Sequence, residues 1–207
     1  IAKRLRNYLE KQGIAFKMKT AVENIADIDA DVILMATGRK PRMEGYTAVD
    51  GNFQMSNGVY AIGDVNGRQM LAHAAEMQAV RAVKHILGRQ DGIRFDVMPA
   101  AIFTTPEAAC VGPTEDQLKE RGIAYTCRKA FWRANGKALS MGETEGMLKL
   151  FMDADDRLLG CHAYGAHAAD IVQEVSVLIC RETTLGQLRD MVHIHPTLSE
   201  ILKSAAD

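Results

Sequence analysis

No apolar run in this 207-residue sequence is long enough to cross a membrane. The longest are stretches such as Val32–Ile33–Leu34–Met35–Ala36, against the roughly 20 residues a spanning helix needs. Charge of one sign is also lacking. The 25 Lys+Arg oppose 26 Asp+Glu for a net charge of −1 and a pI near 6.7. No general basic field is therefore present to hold nucleic acid. Hydrophobic residues make up 47%, which excludes a disordered chain. Cysteine is sparse. Cys110, Cys127, Cys161 and Cys180 form no C-x-x-C pair and no metal-ligand spacing. They are expected to be reduced core thiols of a cytoplasmic protein; a redox pair formed in space stays open. There is no low-complexity segment and no internal repeat. The first residue is Ile1, not Met, and Ile1–Leu5 has no signal-peptide pattern. The chain is expected to be a piece of a longer protein.

The pattern changes in kind along the chain. Leu5, Tyr8 and Leu9 recur at helical spacing up to about Gln12, and Gly13 stands where a C-cap glycine belongs. Ile14–Lys19 alternates like a half-buried strand, and Val32–Thr37 reads as a strand buried on both faces. Gly58–Val65 predicts a turn, a short strand and a Gly-Asp pair. A long helix is expected over Leu71–Gly88, with Leu71, Ala75, Ala79, Ala82, Val83 and Ile86 toward the core. From about Pro99 strands come first and helices after, an α+β order. Thr114–Gln117 fits a capping box. Strands are expected at Ala124–Phe131, Gly146–Met152 and Leu158–Tyr164, with a turn at Asp153–Asp156. Helices are expected at His167–Arg181, Leu185–Met191 and Thr197–Ala205.

Three stretches carry chemistry. Gly63–Asp64 ends a predicted strand, where open α/β sheets bind ligands; Asp64 is either an acceptor for sugar-like hydroxyls or a plain turn residue. Leu71–Ala72–His73 opens a helix whose bare N–H groups suit an anionic or electron-rich ring edge; its small residues equally suit close packing. His193–Ile194–His195–Pro196–Thr197–Leu198–Ser199–Glu200 is the most informative. Pro196 makes the backbone at His195 extended, so His193 and His195 are expected on one side. Glu200 can fold back on an imidazole, as a general base requires. Thr197 and Glu200 also fit a capping box, and one carboxylate oxygen can cap while the other orients the histidine.

Taken together and in order, five stretches resemble the pyridine nucleotide–disulfide oxidoreductases. They are Ala36–Pro41, Tyr60–Val65, Leu71–His73, Phe103–Glu107 with Val111–Gly112, and His195–Glu200. The likeness covers nearly the whole chain and is to the C-terminal half of a dihydrolipoamide dehydrogenase. The wording around Leu198 is less like glutathione reductases, and mercuric reductases typically lack a histidine at the position of His195.

The resemblance implies an α/β N-terminal portion, made of partial NAD- and FAD-binding domains, followed by an α+β dimerisation domain with an antiparallel sheet. Residues 1–35 would be the tail of the NAD-binding domain, 36–97 the C-terminal part of the FAD-binding domain and 98–207 the dimerisation domain. It implies Gly38 near the nicotinamide nucleotide, Asp64 on the ribityl chain of FAD, and Met70, Leu71, Ala72 and His73 at the flavin ring. His195 would be the acid/base at a dithiol centre, with Glu200 its orienting partner. The implied partners are a second copy of the chain and a dithiol such as a lipoyl group, with no metal, nucleic acid or membrane. No G-x-G-x-x-G and no C-x-x-x-x-C occurs, and the stretches Val22–Asp31 and Glu44–Gly58 are short for the family. The alternatives are another disulfide reductase, of the glutathione reductase kind, and a dimerisation module with no catalysis of its own. The apolar helix residues Ile171, Val172, Val175, Leu178 and Ile179 are expected to exceed what one sheet can cover.

Overall fold

A computed structural model of the chain describes every residue except Met43, Tyr46, Thr47 and Asn57. Three of these fall in the Glu44–Gly58 stretch, so that part of it lies outside the described residues. The backbone divides into two units, Ile1–Tyr8 with Arg94–Asp207, and Leu9–Ile93.

The first unit is built on an antiparallel sheet of order β1-β2-β5-β4-β3. The strands are β1 (Ala100–Ile102), β2 (Ala108–Val111), β3 (Thr126–Phe131), β4 (Gly146–Met152) and β5 (Leu158–Gly165). Strand β4 is apolar at almost every position because both its faces are covered. On one face Leu148 pairs with Ala163 and Leu150 with Cys161. These meet α5 (Ala168–Cys180) and α7 (Glu200–Ala206), whose Ile171, Val172, Val175, Ile201 and Leu202 are buried in the same cluster. Each such aliphatic side chain stabilises the fold by about 1.5–3 kcal/mol. On the opposite face Phe151 stands edge-on to Tyr125 and His162 at 5.8 and 5.7 Å. There Lys149 reaches Glu115 of α3 (Glu115–Glu120) at 2.6 Å.

Local chemistry sets the ends of these elements. Thr114 Oγ1 accepts from the Gln117 N–H at 3.1 Å and Gln117 Oε1 from the Thr114 N–H at 2.9 Å, the reciprocal box expected there. Thr184 and Gln187 repeat it at the start of α6 (Leu185–Asp190). Asp153 Oδ1 accepts from the N–H groups of Asp155 and Arg157, fixing the β4–β5 turn. The short helix α4 (Gly136–Met141) is capped by Asn135.

Several expectations need correction here. Helix α7 begins at Glu200, not Thr197. The apolar residues of α5 are covered by the chain's own sheet, with Ile171, Val172, Val175 and Ile179 all at 5% exposure or less. Leu178 is only partly buried, and Val177 of the same helix is 53% exposed.

Helix α1 (Ala2–Lys11) lies mostly in the first unit, with its buried Leu5, and the other unit holds α2 (Ala72–Ile86). The expected strands Ile14–Lys19 and Val32–Thr37 do not form. Both stretches are exposed and have no strand partner, with Val32 and Leu34 about 85% exposed. A strand buried on both faces needs a neighbour on each side, and no described residue supplies one. Around Tyr60 the strand shrinks to one bridge with Gln54. Helix α2 buries Ala74, Gln78 and Ala82, while Val83 and Ile86 face solvent. Its core stripe is thus rotated by about one residue from the expected one.

Candidate functional site

The segment between α6 and α7 carries the most organised polar chemistry. The His195–Pro196 peptide is cis. Glu200 Oε1 lies 2.9 Å from His195 Nδ1, and Glu200 Oε2 accepts the Thr197 N–H at 2.8 Å. The expected capping box forms only by half, because the Thr197 hydroxyl donates instead to the Ile194 carbonyl at 2.7 Å. Capping and orienting thus coexist on one carboxylate. The Thr197 N–H first, and then the His195 imidazole, hold the Glu200 carboxyl below its ordinary value. An ionised carboxylate only accepts hydrogen bonds, so the proton between the two sits on Nδ1. That leaves the Nε2 lone pair for chemistry, on an imidazole whose side chain is 78% exposed.

His193 and His195 do not share a side. The His193 imidazole is only 6% exposed, with Nε2 3.5 Å from Glu174 Oε1 of α5 and Nδ1 3.2 Å from the Met191 carbonyl. Pleat alternation fails as a guide because 191–199 is a loop bent by its own side-chain bonds and not an extended strand. Beside it Val192 and Ile194 are 99% and 79% exposed, two apolar side chains flanking the histidines.

Asn135 also reaches this segment, and sequence reasoning misses it. Its Nδ2 donates to the carbonyls of Thr197 (3.1 Å) and Leu198 (3.4 Å), while Oδ1 accepts the Ala138 N–H of α4 (3.0 Å). An Asn before Gly signals a cap or turn; the contact 62 positions away leaves no local mark.

The other unit holds the remaining candidates. Gly63 to Asn66 forms a 3-10 turn. It is fastened by buried Gln78, whose Oε1 accepts the Gly63 N–H (2.7 Å) and the Asn66 amide (2.8 Å). A Cβ at Gly63 would lie 3.3 Å from that of Ala75, so small residues here do permit close approach. Asp64 projects from this turn, exposed. Helix α2 then opens at Ala72 with Leu71 at its N-cap and no side-chain cap. An exposed carboxylate at Asp64 and a helix start without a side-chain cap are groups that could meet a hydroxylated chain and an electron-rich ring. Gly38 has φ +81 and open space where a side chain would be. No polar group gathers around it among the described residues.

All four cysteines are free thiols. Only Cys161 belongs to the core. Cys110 and Cys127 are half-buried and Cys180 is exposed, which corrects the expectation of four core thiols. Burial pushes the thiols of Cys110, Cys127 and Cys161 up, away from the thiolate that redox exchange requires.

Comparison with known proteins gives a consistent result. Residues 98–206 match the family model of the pyridine nucleotide-disulphide oxidoreductase dimerisation domain, and residues 1–79 match that of the pyridine nucleotide-disulphide oxidoreductases. The whole chain is 32% identical to a mitochondrial dihydrolipoyl dehydrogenase of Pisum sativum, over 48% of that protein. Over 88% of its length it is 36% identical to a dihydrolipoyl dehydrogenase of Synechocystis sp., covering 44% of that protein. Among solved structures it is similar to LpdA from Mycobacterium tuberculosis (TM-score 0.76, 27% identity, 84% of this chain and 41% of that one). It is also similar to the HOCl-induced flavoprotein disulfide reductase RclA from Escherichia coli (TM-score 0.74, 25% identity, 83% and 43%). The chain spans about half the length of the curated relatives it matches.

Proposed function

The chain belongs to the pyridine nucleotide-disulphide oxidoreductases, and on that premise we propose that it is a fragment of an FAD-dependent dihydrolipoyl dehydrogenase that includes its dimerisation domain. His195 is its acid/base and Glu200 the partner that orients it. The observation that carries this reading is the divided Glu200 carboxylate, which fixes the Nδ1–H tautomer and leaves Nε2 open.

Members of the family are FAD- and NAD(P)-dependent; when bound, flavin and nicotinamide supply the two-electron acceptors. Asp64 would accept a ribityl hydroxyl, and the backbone from Met70 to His73 would edge the flavin ring. Gly38 is assigned to the nicotinamide nucleotide on the family resemblance alone. His195 Nε2 takes the proton of a substrate thiol, because thiolate is the species that attacks a disulfide. The imidazolium so formed is held by Glu200 through Nδ1–H. The redox disulfide is assigned to residues outside this chain, since its own four cysteines are free. The exposed imidazole, flanked by Val192 and Ile194, is read as the face presented to a second copy, making the functional unit a homodimer. The substrate is read as a lipoyl-type dithiol. Free thiols suit a reducing compartment, and we place the protein in the cytoplasm. No helix among the described residues is long and apolar enough to cross a membrane.

The test is His195→Gln in a holoenzyme containing this chain. Dithiol-driven reduction should slow by roughly 10²–10⁴-fold, the range of a positioned general base. NADH-to-dye transfer needs no such base and should stay near wild type. Equal losses in both reactions would overturn the assignment. A second reading, a disulfide reductase for another substrate, is favoured by the likeness to RclA. It is distinguished by turnover with oxidised glutathione or another disulfide in place of lipoamide.

A further inference from the structure

We infer that Asn135 is a positioning residue for His195, acting through the peptide carbonyls that lie between His195 and Glu200. The inference rests on the reading of His195 and Glu200 as an acid/base pair. Asn135 is 5% exposed, so its amide cannot exchange these partners for water, and all its bonds are made inside the protein. Its two ends do different work. Oδ1 caps α4 through the Ala138 N–H at 3.0 Å. Nδ2 donates to the Thr197 and Leu198 carbonyls at 3.1 and 3.4 Å. Thr197 in turn gives its N–H to Glu200 Oε2, and Glu200 Oε1 holds His195 Nδ1. Hydrogen bonds on both sides of the Thr197 backbone therefore link Asn135 to Glu200 and, through it, to the imidazole. It ties an exposed base to the rigid turn after β3, made of a 3-10 turn (Trp132–Ala134) and α4. Preorganised sites are held by such supporting hydrogen bonds, because a reacting group displaced by even 1 Å loses much of its effect.

The chemistry of the amide offers a clean separation. Asn135→Asp and Asn135→Ser keep an oxygen able to cap α4, but neither carries the amide donor. In Asn135→Asp an anionic oxygen would face two carbonyls. The experiment is ¹⁵N NMR of the histidine rings in the 207-residue chain, with Glu200→Ala as the reference for a lost pair. In the wild type His195 should show the Nδ1–H tautomer. In both Asn135 variants the ring signals should move more than halfway to those of Glu200→Ala, while the Ala138 amide stays protected from exchange. Unchanged His195 signals in Asn135→Asp with the Ala138 amide still protected would reduce Asn135 to a helix cap and overturn the inference. A wild-type spectrum with no Nδ1–H signature would instead overturn the acid/base pair, and the positioning role with it. Should neither variant fold, the wild-type Asn135 amide protons decide. Slow exchange supports the tether and exchange at the free-amide rate refutes it.

Discussion

Trp132 occupies the space that a side chain at Gly165 would need. A Cβ built there would collide with the six-membered ring of the indole, and one at Gly146 would lie 2.6 Å from it. The two glycines are register partners across β4 and β5, so together they open a slot in the sheet for the largest buried side chain of the protein. The indole N–H closes the arrangement on the Ala166 carbonyl at 3.1 Å. Gly165→Ala should therefore destabilise the 98–207 region strongly. Its φ of +149 adds backbone strain to the collision. A loss of about 2–3 kcal/mol is expected, at the upper end for overpacking, read as a lowered urea midpoint.

Glu200→Gln should separate catalysis from stability. Gln keeps an oxygen for the Thr197 N–H, so the thermal midpoint should change little. Its other atom is then an amide donor facing His195 Nδ1, which favours the opposite tautomer. In a holoenzyme the dithiol reaction should fall by roughly 10-fold, less than for His195→Gln, because orientation alone is lost. Wild-type rates would show that Glu200 serves only its helix.

The same pair predicts an acid limit. Glu200 is held below its ordinary carboxyl value, by the Thr197 N–H first and His195 second. Its stabilisation of the loop is thus fully present above the unfolded carboxylate value of about 4.3. It is lost as pH falls through the lower folded value. The His195 ring signals should report this transition in the wild type, and Glu200→Gln should abolish it. A transition that survives the substitution belongs to another group.

Val192 and Ile194 touch water in the isolated chain. Val192→Asp with Ile194→Asp should leave its folding almost unchanged and weaken self-association by at least about 30-fold, the effect of losing one strong interface residue. Sedimentation at micromolar concentration would then give monomer for the variant and dimer for the parent. An unchanged dimer would place the interface elsewhere.

The 207-residue chain should not bind FAD stoichiometrically. On the proposed reading, Asp64 and the start of α2 would make only part of a flavin site. The dinucleotide's pyrophosphate needs a glycine loop that this sequence lacks. Purified protein should be colourless, and a flavin band near one per chain would overturn this.

The contrast between the two units shows what a sequence can disclose. Strand β4 matches its expected bounds because its neighbours and both covering layers lie within the same hundred residues. The Thr114 box and the Asp153 turn were legible for the same reason, since every partner is within four positions. The pairing of His195 with Glu200 could be read from five positions of spacing. Asn135 could not, because its partners are folded in from 62 positions away. Val32–Thr37 has a strand's composition and no strand beside it. Apolar pattern reports what a segment would bury, not whether the chain supplies the cover. The short strands β1 and β2 and the helix α4 carry too few residues for any period to show.

That uncovered segment has a consequence for handling the protein. Val32, Leu34 and Met35 are exposed and belong to no strand, so their backbone is open to another molecule adding edge to edge. Asp29 and Asp31 stand before the run and Arg39 and Lys40 after it, as gatekeeper charges do around unavoidable apolar stretches. These four residues would be a local restraint on edge-to-edge self-assembly of the chain. Neutralising them would change how long a preparation stays in solution before it changed anything about the fold of the 98–207 region.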